Sequence, residues 1–220
     1  PSASPPRAPY PPGAFPRQQE KIAAAINGLG TSVVALEEIE NSEKFGLDRD
    51  HALAHLVEAL NAQAGEQRWA YVASPATRPA LADEDVIRSA FIYQPAEVTP
   101  VGESVILDDQ TNFDNAREPM AQLFRAADGT SEGAAGTEFV AITNHFKSKG
   151  GSGATGDNVD AGDGQGAYNA DRVGQAEALV AFAERMKAET GTDRVLLMGD
   201  FNAYELSLIH ISEPTRLRRI

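Results

Sequence analysis

The 220-residue sequence predicts an α/β sandwich, in which helices cover β-sheet faces. Apolar, β-branched runs of strand length mix with amphipathic helical stretches in irregular order. The β-α-β alternation of a doubly wound parallel sheet is missing from the middle of the chain, and no internal repeat of the solenoid kind is present.

The first 16 residues are rich in Pro, Ser and Gly, without periodicity, and read as a linker or disordered lead-in. From Arg17 the pattern becomes helical: Ile22, Ala25, Ile26 and Leu29 fall on one face, and Gly28 and Gly30 end it. Ser32 to Leu36 is a short buried strand. A second helix fits His51 to Gln63, with Leu53, Leu56, Val57 and Leu60 on its apolar face. Strands are expected at Trp69 to Val72, Val86 to Tyr93, Glu97 to Leu107, Ala121 to Arg125 and Glu138 to Asn144. An acidic, Gly-rich loop from Gly150 to Gly166 leads into a helix from Asn169 to about Glu189, and Arg194 to Met198 forms a last strand.

Composition bounds the chemistry. With no cysteine, the chain has no disulfide, no thiolate nucleophile and no Cys-ligated zinc. No apolar run is long enough to span a bilayer, and the N-terminus shows no secretory leader. A formal net charge of -13 repels polyanions at long range, so polyphosphate binding would have to be local and bridged by metal.

Three strand ends carry residues suited to phosphate or metal. Leu36-Glu37-Glu38-Ile39-Glu40-Asn41 clusters acids that repel one another unless a cation or solvent relieves them. The strand Phe139 to Asn144 delivers His145, followed by Phe146-Lys147-Ser148-Lys149-Gly150; the His suits acid/base work or a phosphate bond, and the lysines add local positive charge. Gly199-Asp200-Phe201-Asn202 follows an apolar strand, and strand alternation would point Asp200 and Asn202 to the same side. A carboxylate beside a carboxamide suits a hard cation and a phosphoryl oxygen. Taken singly, each segment is more ordinarily a polar turn, an acidic loop or a structural histidine. Their combination, in the order Glu, His, Asp-x-Asn, is specific.

In these residues the chain resembles the endonuclease/exonuclease/phosphatase superfamily, which includes deoxyribonuclease I, exonuclease III and neutral sphingomyelinases. It is most similar to the bacterial extracellular endonuclease branch, through Glu-Ile-Glu-Asn and His-Phe-Lys-Ser-Lys-Gly. The resemblance runs from about Arg17 to Glu205 and includes Arg88 to Pro95, Arg117-Glu118-Pro119, and Gly162 to Gly166 with Asn169 and Arg172. It implies a four-layer α-β-β-α sandwich of two mixed sheets, truncated at both ends. It also implies a divalent-metal-dependent phosphodiester hydrolase, a nuclease cleaving DNA or RNA by in-line attack of water. Glu38 falls on the metal ligand, although Glu37 stands where the family usually has Gln or Met. His145, Asp200 and Asn202 fall on the catalytic residues. Arg117, Lys147, Lys149, Asn169 and Arg172 fall on substrate-phosphate positions.

The implied cofactor is Mg²⁺, with Mn²⁺ or Ca²⁺ as alternatives, and the implied partner is nucleic acid, with no membrane and no obligate protein partner. The implied location is extracellular or periplasmic. Whether Asp200 or a histidine outside this chain acts as base stays open, because the family's opening Phe-Asn-x-Leu-Asn and closing Ser-Asp-His are not found. Two other functions are weighed: a lipid or inositol phosphate phosphoesterase on the same fold, and a non-catalytic binding module or inactive fragment. The loop Asp157 to Gly166 is expected to be a mobile flank of the active site rather than a structural Ca²⁺ site. From Leu206 the chain resembles a translated sequencing adapter, so residues 206–220 are expected to be an artefactual tail.

Overall fold

In the computed structural model the described residues are 14–127 and 137–203. The tail and nearly all of the lead-in lie outside them. The elements are α1 (Ala14–Asn27), β1 (Val33–Glu40), α2 (His51–Ala64), β2 (Ala70–Tyr71), β3 (Ile87–Tyr93), β4 (Val98–Ile106), β5 (Arg117–Ala126), β6 (Phe139–His145), α3 (Asn169–Thr190) and β7 (Val195–Asp200). Helix α1 therefore starts three residues inside the stretch expected to be a lead-in.

Two sheets form. The first has the strand order β1-β3-β2, all antiparallel pairs. The second has the order β4-β5-β6-β7, antiparallel except for the parallel β6–β7 pair. Alternation along the strands gives each sheet two apolar faces, which need three apolar layers to cover them.

Between the sheets, Phe91 and Val72 of one meet Met120, Phe124 and Ala141 of the other. Outside the first sheet, Ala23 and Ile26 of α1 and Leu53, Val57 and Leu60 of α2 pack with Trp69, Ala90 and Ile92. Outside the second, Leu179, Phe182, Ala183 and Met186 of α3 pack on Ala121, Val140 and Ile142. The result is the four-layer α-β-β-α sandwich expected from the sequence, with the difference that only the second sheet is mixed, the described strands of the first pairing antiparallel throughout.

Two strands run longer than their periodicity indicates, and both extensions lead to the same place. β1 continues past Leu36 through a bulge: Leu36 pairs with Ala90 and Ile39 with Arg88, which leaves one extra residue in the Glu37–Glu38 step. β5 starts at Arg117 rather than Ala121, with a second bulge between Arg117 and Met120 opposite His145 and Thr143. A bulge breaks strict alternation and re-aims side chains. That is why the apolar pattern stops before the strands do.

Candidate active site

His145 ends β6 at the centre of the second sheet. Its neighbours in register are Arg117 on β5 and Asp200 on β7, so three chemically active side chains share one row across three strands. The imidazole is 4% exposed. Arg117 Nη2 lies 3.0 Å from His145 Nε2. A guanidinium has donors only, so this bond requires a lone pair on Nε2 and places the ring proton on Nδ1. Nδ1 in turn lies 3.3 Å from the Glu37 carbonyl oxygen, which accepts that proton's hydrogen bond.

The β1 bulge brings the acids in from the first sheet. Glu38 Oε1 is 4.0 Å and Asp200 Oδ2 3.9 Å from His145 Nε2. Both carboxylates open to solvent, at 72% and 55% exposure. Glu37 is half-buried, and burial pushes its carboxyl above the usual carboxylate range; its own backbone N–H opposes this, while the charges of Asp200 and Glu38 add to it. The acids that cluster in the sequence of β1 are thus joined in space by Asp200.

The Gly-Asp-x-Asn segment works differently from the expectation. Gly199 sits at φ +127°, and a Cβ there would lie 2.0 Å from the Asn144 carbonyl oxygen, so only glycine allows β7 this close to β6. Asn144 fastens the same junction, donating from Nδ2 to the Met198 carbonyl (2.7 Å). Asn202 lies beyond the strand in a left-handed conformation, φ 47°, so strand alternation does not apply to it. Its backbone N–H donates to Asp200 Oδ1 (2.8 Å), and its side chain donates to the Phe146 carbonyl (3.0 Å). Asn202 therefore shapes the turn that presents Asp200.

The basic residues divide. Lys149 packs its stem on Gly166, and its ammonium is held below the usual lysine range by burial and by Arg172, against the pull of Asp200. Lys147 Nζ lies 4.6 Å from the centroid of the Tyr168 ring, a cation–π contact. Asn169 is the first residue of α3, half-buried. Arg172 is not brought to a substrate-facing position: it is 2% exposed and donates to the carbonyls of Ala167 (2.7 Å), Gln165 (2.9 Å) and Lys147 (3.3 Å). Gln175 on the next turn accepts the Lys147 N–H and donates to the Asn112 carbonyl. These two buried side chains fasten the loop after His145 to α3.

The acidic loop is also tied down. Asn158 and Asp171 bond reciprocally, at 2.7 and 3.0 Å. Asp160 and Asp163 accept backbone N–H groups two residues on, as in Asx turns.

Among the described residues no group of three or more His, Asp or Glu side chains is gathered to hold a metal ion. Mg²⁺, however, commonly uses only one or two protein carboxylates and keeps several waters. The exposed oxygens of Glu38 and Asp200, on either side of His145 Nε2, fit that requirement in donor type. The repulsion that Glu37 feels from them is what a cation would relieve.

One residue that sequence reasoning missed belongs here. Asp85, just ahead of β3, lies with Oδ2 3.8 Å from Arg117 Nε. No local pattern marks it out, since it follows two other acids in a polar connection.

No protein-family model and no curated protein matches the chain. Solved structures do. One is an endonuclease/exonuclease/phosphatase family protein from Bacteroides thetaiotaomicron, with TM-score 0.55 and 15% identity, matched over 92% of this chain and 60% of that one. A functionally unknown conserved protein from Enterococcus faecalis V583 matches with TM-score 0.53 and 16% identity, over 91% and 64%. The human Nocturnin catalytic domain, solved with a bound sulfate anion, matches with TM-score 0.52 and 13% identity, over 89% and 60%. The chain thus has the deoxyribonuclease I-like α/β fold of endonuclease/exonuclease/phosphatase proteins. It spans about 60% of the length of the structures that share it.

Proposed function

We propose that the chain carries the catalytic core of a divalent-metal-dependent phosphodiester hydrolase, a nuclease acting outside the cytoplasm. The observation that supports this best is the row Arg117–His145–Asp200, with Glu38 facing it from the other sheet. The row sets a donor-only cation, an imidazole and two exposed carboxylates around one opening.

Glu38 and Asp200 would hold the cation, which when bound offsets charge developing on the phosphoryl group. Arg117 donates toward non-bridging oxygens, with the fork that suits a phosphate. His145, held by the Glu37 carbonyl at Nδ1, accepts Arg117 at Nε2 and so fixes the arginine beside the two carboxylates. Asp200, set by the Asn202 turn, orients water for attack in line with the leaving oxygen. Lys149 adds positive charge close to Asp200, which favours a polyanion over a single phosphate group. Mg²⁺ is the expected ion and DNA or RNA the expected substrate.

The test is Mg²⁺-dependent digestion of plasmid and single-stranded DNA, run beside a sphingomyelin assay, using the complete gene product that contains this chain. Cleavage of DNA that is lost in Glu38→Ala and in His145→Ala supports the proposal. Sphingomyelin hydrolysis without DNA cleavage transfers the site to the lipid phosphoesterases, and unchanged DNA cleavage in either variant overturns the residue roles.

A further inference from the structure

Three arginines line a small polar pocket directly behind the proposed active site: Arg49, Arg88 and Arg117. Each has its own acid. Arg49 forms a bidentate pair with Glu84, at 2.5 and 2.6 Å, in the buried interior. Arg88 Nη2 donates to Asp50 Oδ1 at 2.6 Å. That leaves Asp85 for Arg117, at 3.8 Å from Nε, an atom that is buried and makes no hydrogen bond.

The far end of the same guanidinium is the group that bonds His145. Arg117 thus spans a carboxylate at one end and the imidazole at the other. At the Nε end Asp85 is the carboxylate within ion-pair distance, whereas Glu38 and Asp200 lie near the imidazole.

Asp85 is itself held firmly. Its Oδ1 accepts the Val86 N–H at 2.6 Å, and its carbonyl accepts a bond from Asn41 Nδ2 at 3.2 Å. The Val86 carbonyl accepts the Asn41 N–H at 2.8 Å, and the preceding Glu84 is locked by Arg49. The segment is therefore fastened on both sides, and only Asp85 Oδ2 is left to face the guanidinium.

We propose that Asp85 is a positioning residue, which holds Arg117 against His145 and acts on the reaction only through that arginine. The consequence for catalysis rests on the phosphodiesterase function proposed above; the consequence for His145 does not. Asp85 would fix the direction of the Arg117 fork and thereby hold the arginine's hydrogen bond to His145 Nε2. Loss of such a supporting carboxylate commonly costs 10- to 100-fold in activity.

The experiment combines a double-mutant cycle with a spectroscopic readout. In the complete gene product, kcat and KM for DNA cleavage are measured for wild type, Asp85→Asn, Asp85→Ala, Arg117→Ala and Asp85→Ala/Arg117→Ala. The ¹⁵N shifts of His145 are recorded for the same set. Asp85→Asn keeps an acceptor for the Val86 N–H, so it tests the charge without unfastening the segment.

The expected result is a kcat loss of about 10- to 100-fold in both Asp85 variants. The double variant should lose no more than Arg117→Ala alone, because the two residues act as one unit. His145 Nε2 should shift in Asp85→Asn in the same direction as in Arg117→Ala. Losses that multiply in the double variant, or an unshifted His145 in Asp85→Asn, overturn the proposal. If the wild type cleaves no phosphodiester, the proposed function fails, and the His145 shifts still decide the Asp85–Arg117 linkage.

Discussion

Arg117 and His145 are register partners across β5 and β6, and the arginine's Nη2 lies 3.0 Å from the imidazole Nε2. The pair is adjacent in the sheet although 28 residues separate it in sequence. Because the arginine can only donate, it selects one tautomer of the histidine, and a lysine cannot replace it in geometry. Arg117→Lys is therefore expected to retain the fold and to lose about 10-fold or more in kcat for phosphodiester cleavage, in line with the loss of a positioned hydrogen-bond donor. Equal unfolding midpoints with unequal kcat would bear this out; wild-type kcat in the lysine variant would refute it.

Gly199 is expected to tolerate no side chain. A Cβ would lie 2.0 Å from the Asn144 carbonyl oxygen, at a φ of +127° that L-residues rarely adopt. Backbone strain of this kind costs about 1–3 kcal/mol before the clash is added. Gly199→Ala should lower unfolding free energy by at least about 2 kcal/mol in urea titration. A shift under half of that would mean β7 can move away from β6.

Arg172 should behave as a structural residue. Its guanidinium holds three carbonyls in the interior, and hydrogen bonds to a charged donor contribute about 1.5–3 kcal/mol each. Arg172→Met is expected to cost about 3 kcal/mol or more and to speed proteolysis within residues 150–166. A variant with unchanged stability and a raised KM for nucleic acid would instead restore the phosphate-binding role that the family resemblance implies.

Glu118 makes the protein's stability depend on pH. Burial raises its carboxyl above the usual value; the Gln110 side chain and its own backbone N–H oppose this, and Glu84 and Asp108 add to it. The folded state thus holds this proton more tightly than the unfolded chain. Its contribution is fully present below the unfolded carboxylate value, and is lost as pH rises through the folded value. Glu118→Gln keeps an acceptor for Gln110 Nε2 and should be more stable than wild type at neutral pH, with the advantage shrinking as the buffer is made acidic. Parallel melting curves from acid to neutral pH would contradict this.

Added Mg²⁺ should raise the melting temperature of the wild type. At a concentration 100-fold above its Kd, a ligand bound only by the folded state adds about 2.7 kcal/mol. Glu38→Gln and Asp200→Asn should each reduce the shift, and Glu40→Gln should not, since no contact joins Glu40 to the row and its carboxylate accepts a bond from Ser42. An Mg²⁺ shift of the same size in all four proteins would place the ion elsewhere.

What the sequence by itself determined is local in origin. The 3.6-residue period of α1, α2 and α3, the β-branched runs and the glycine stops depend only on neighbours in the chain, so helices and strand cores were legible. The same holds for the Glu, His and Asp-x-Asn motifs, because each ends an apolar run.

Tertiary structure decided the rest. Bulges at Glu37–Glu38 and Glu118–Pro119 lengthen β1 and β5 beyond their apolar pattern, and no periodicity can show an interruption of periodicity. Asp85 joins the site through a residue 32 positions away, and Asn202 leaves the strand to bond Phe146. Arg172 reads as a surface cation by type, yet burial assigns it to three carbonyls. Register and burial arise from pairing between distant segments, and that pairing, rather than residue type, set which charged groups face the opening and which support it.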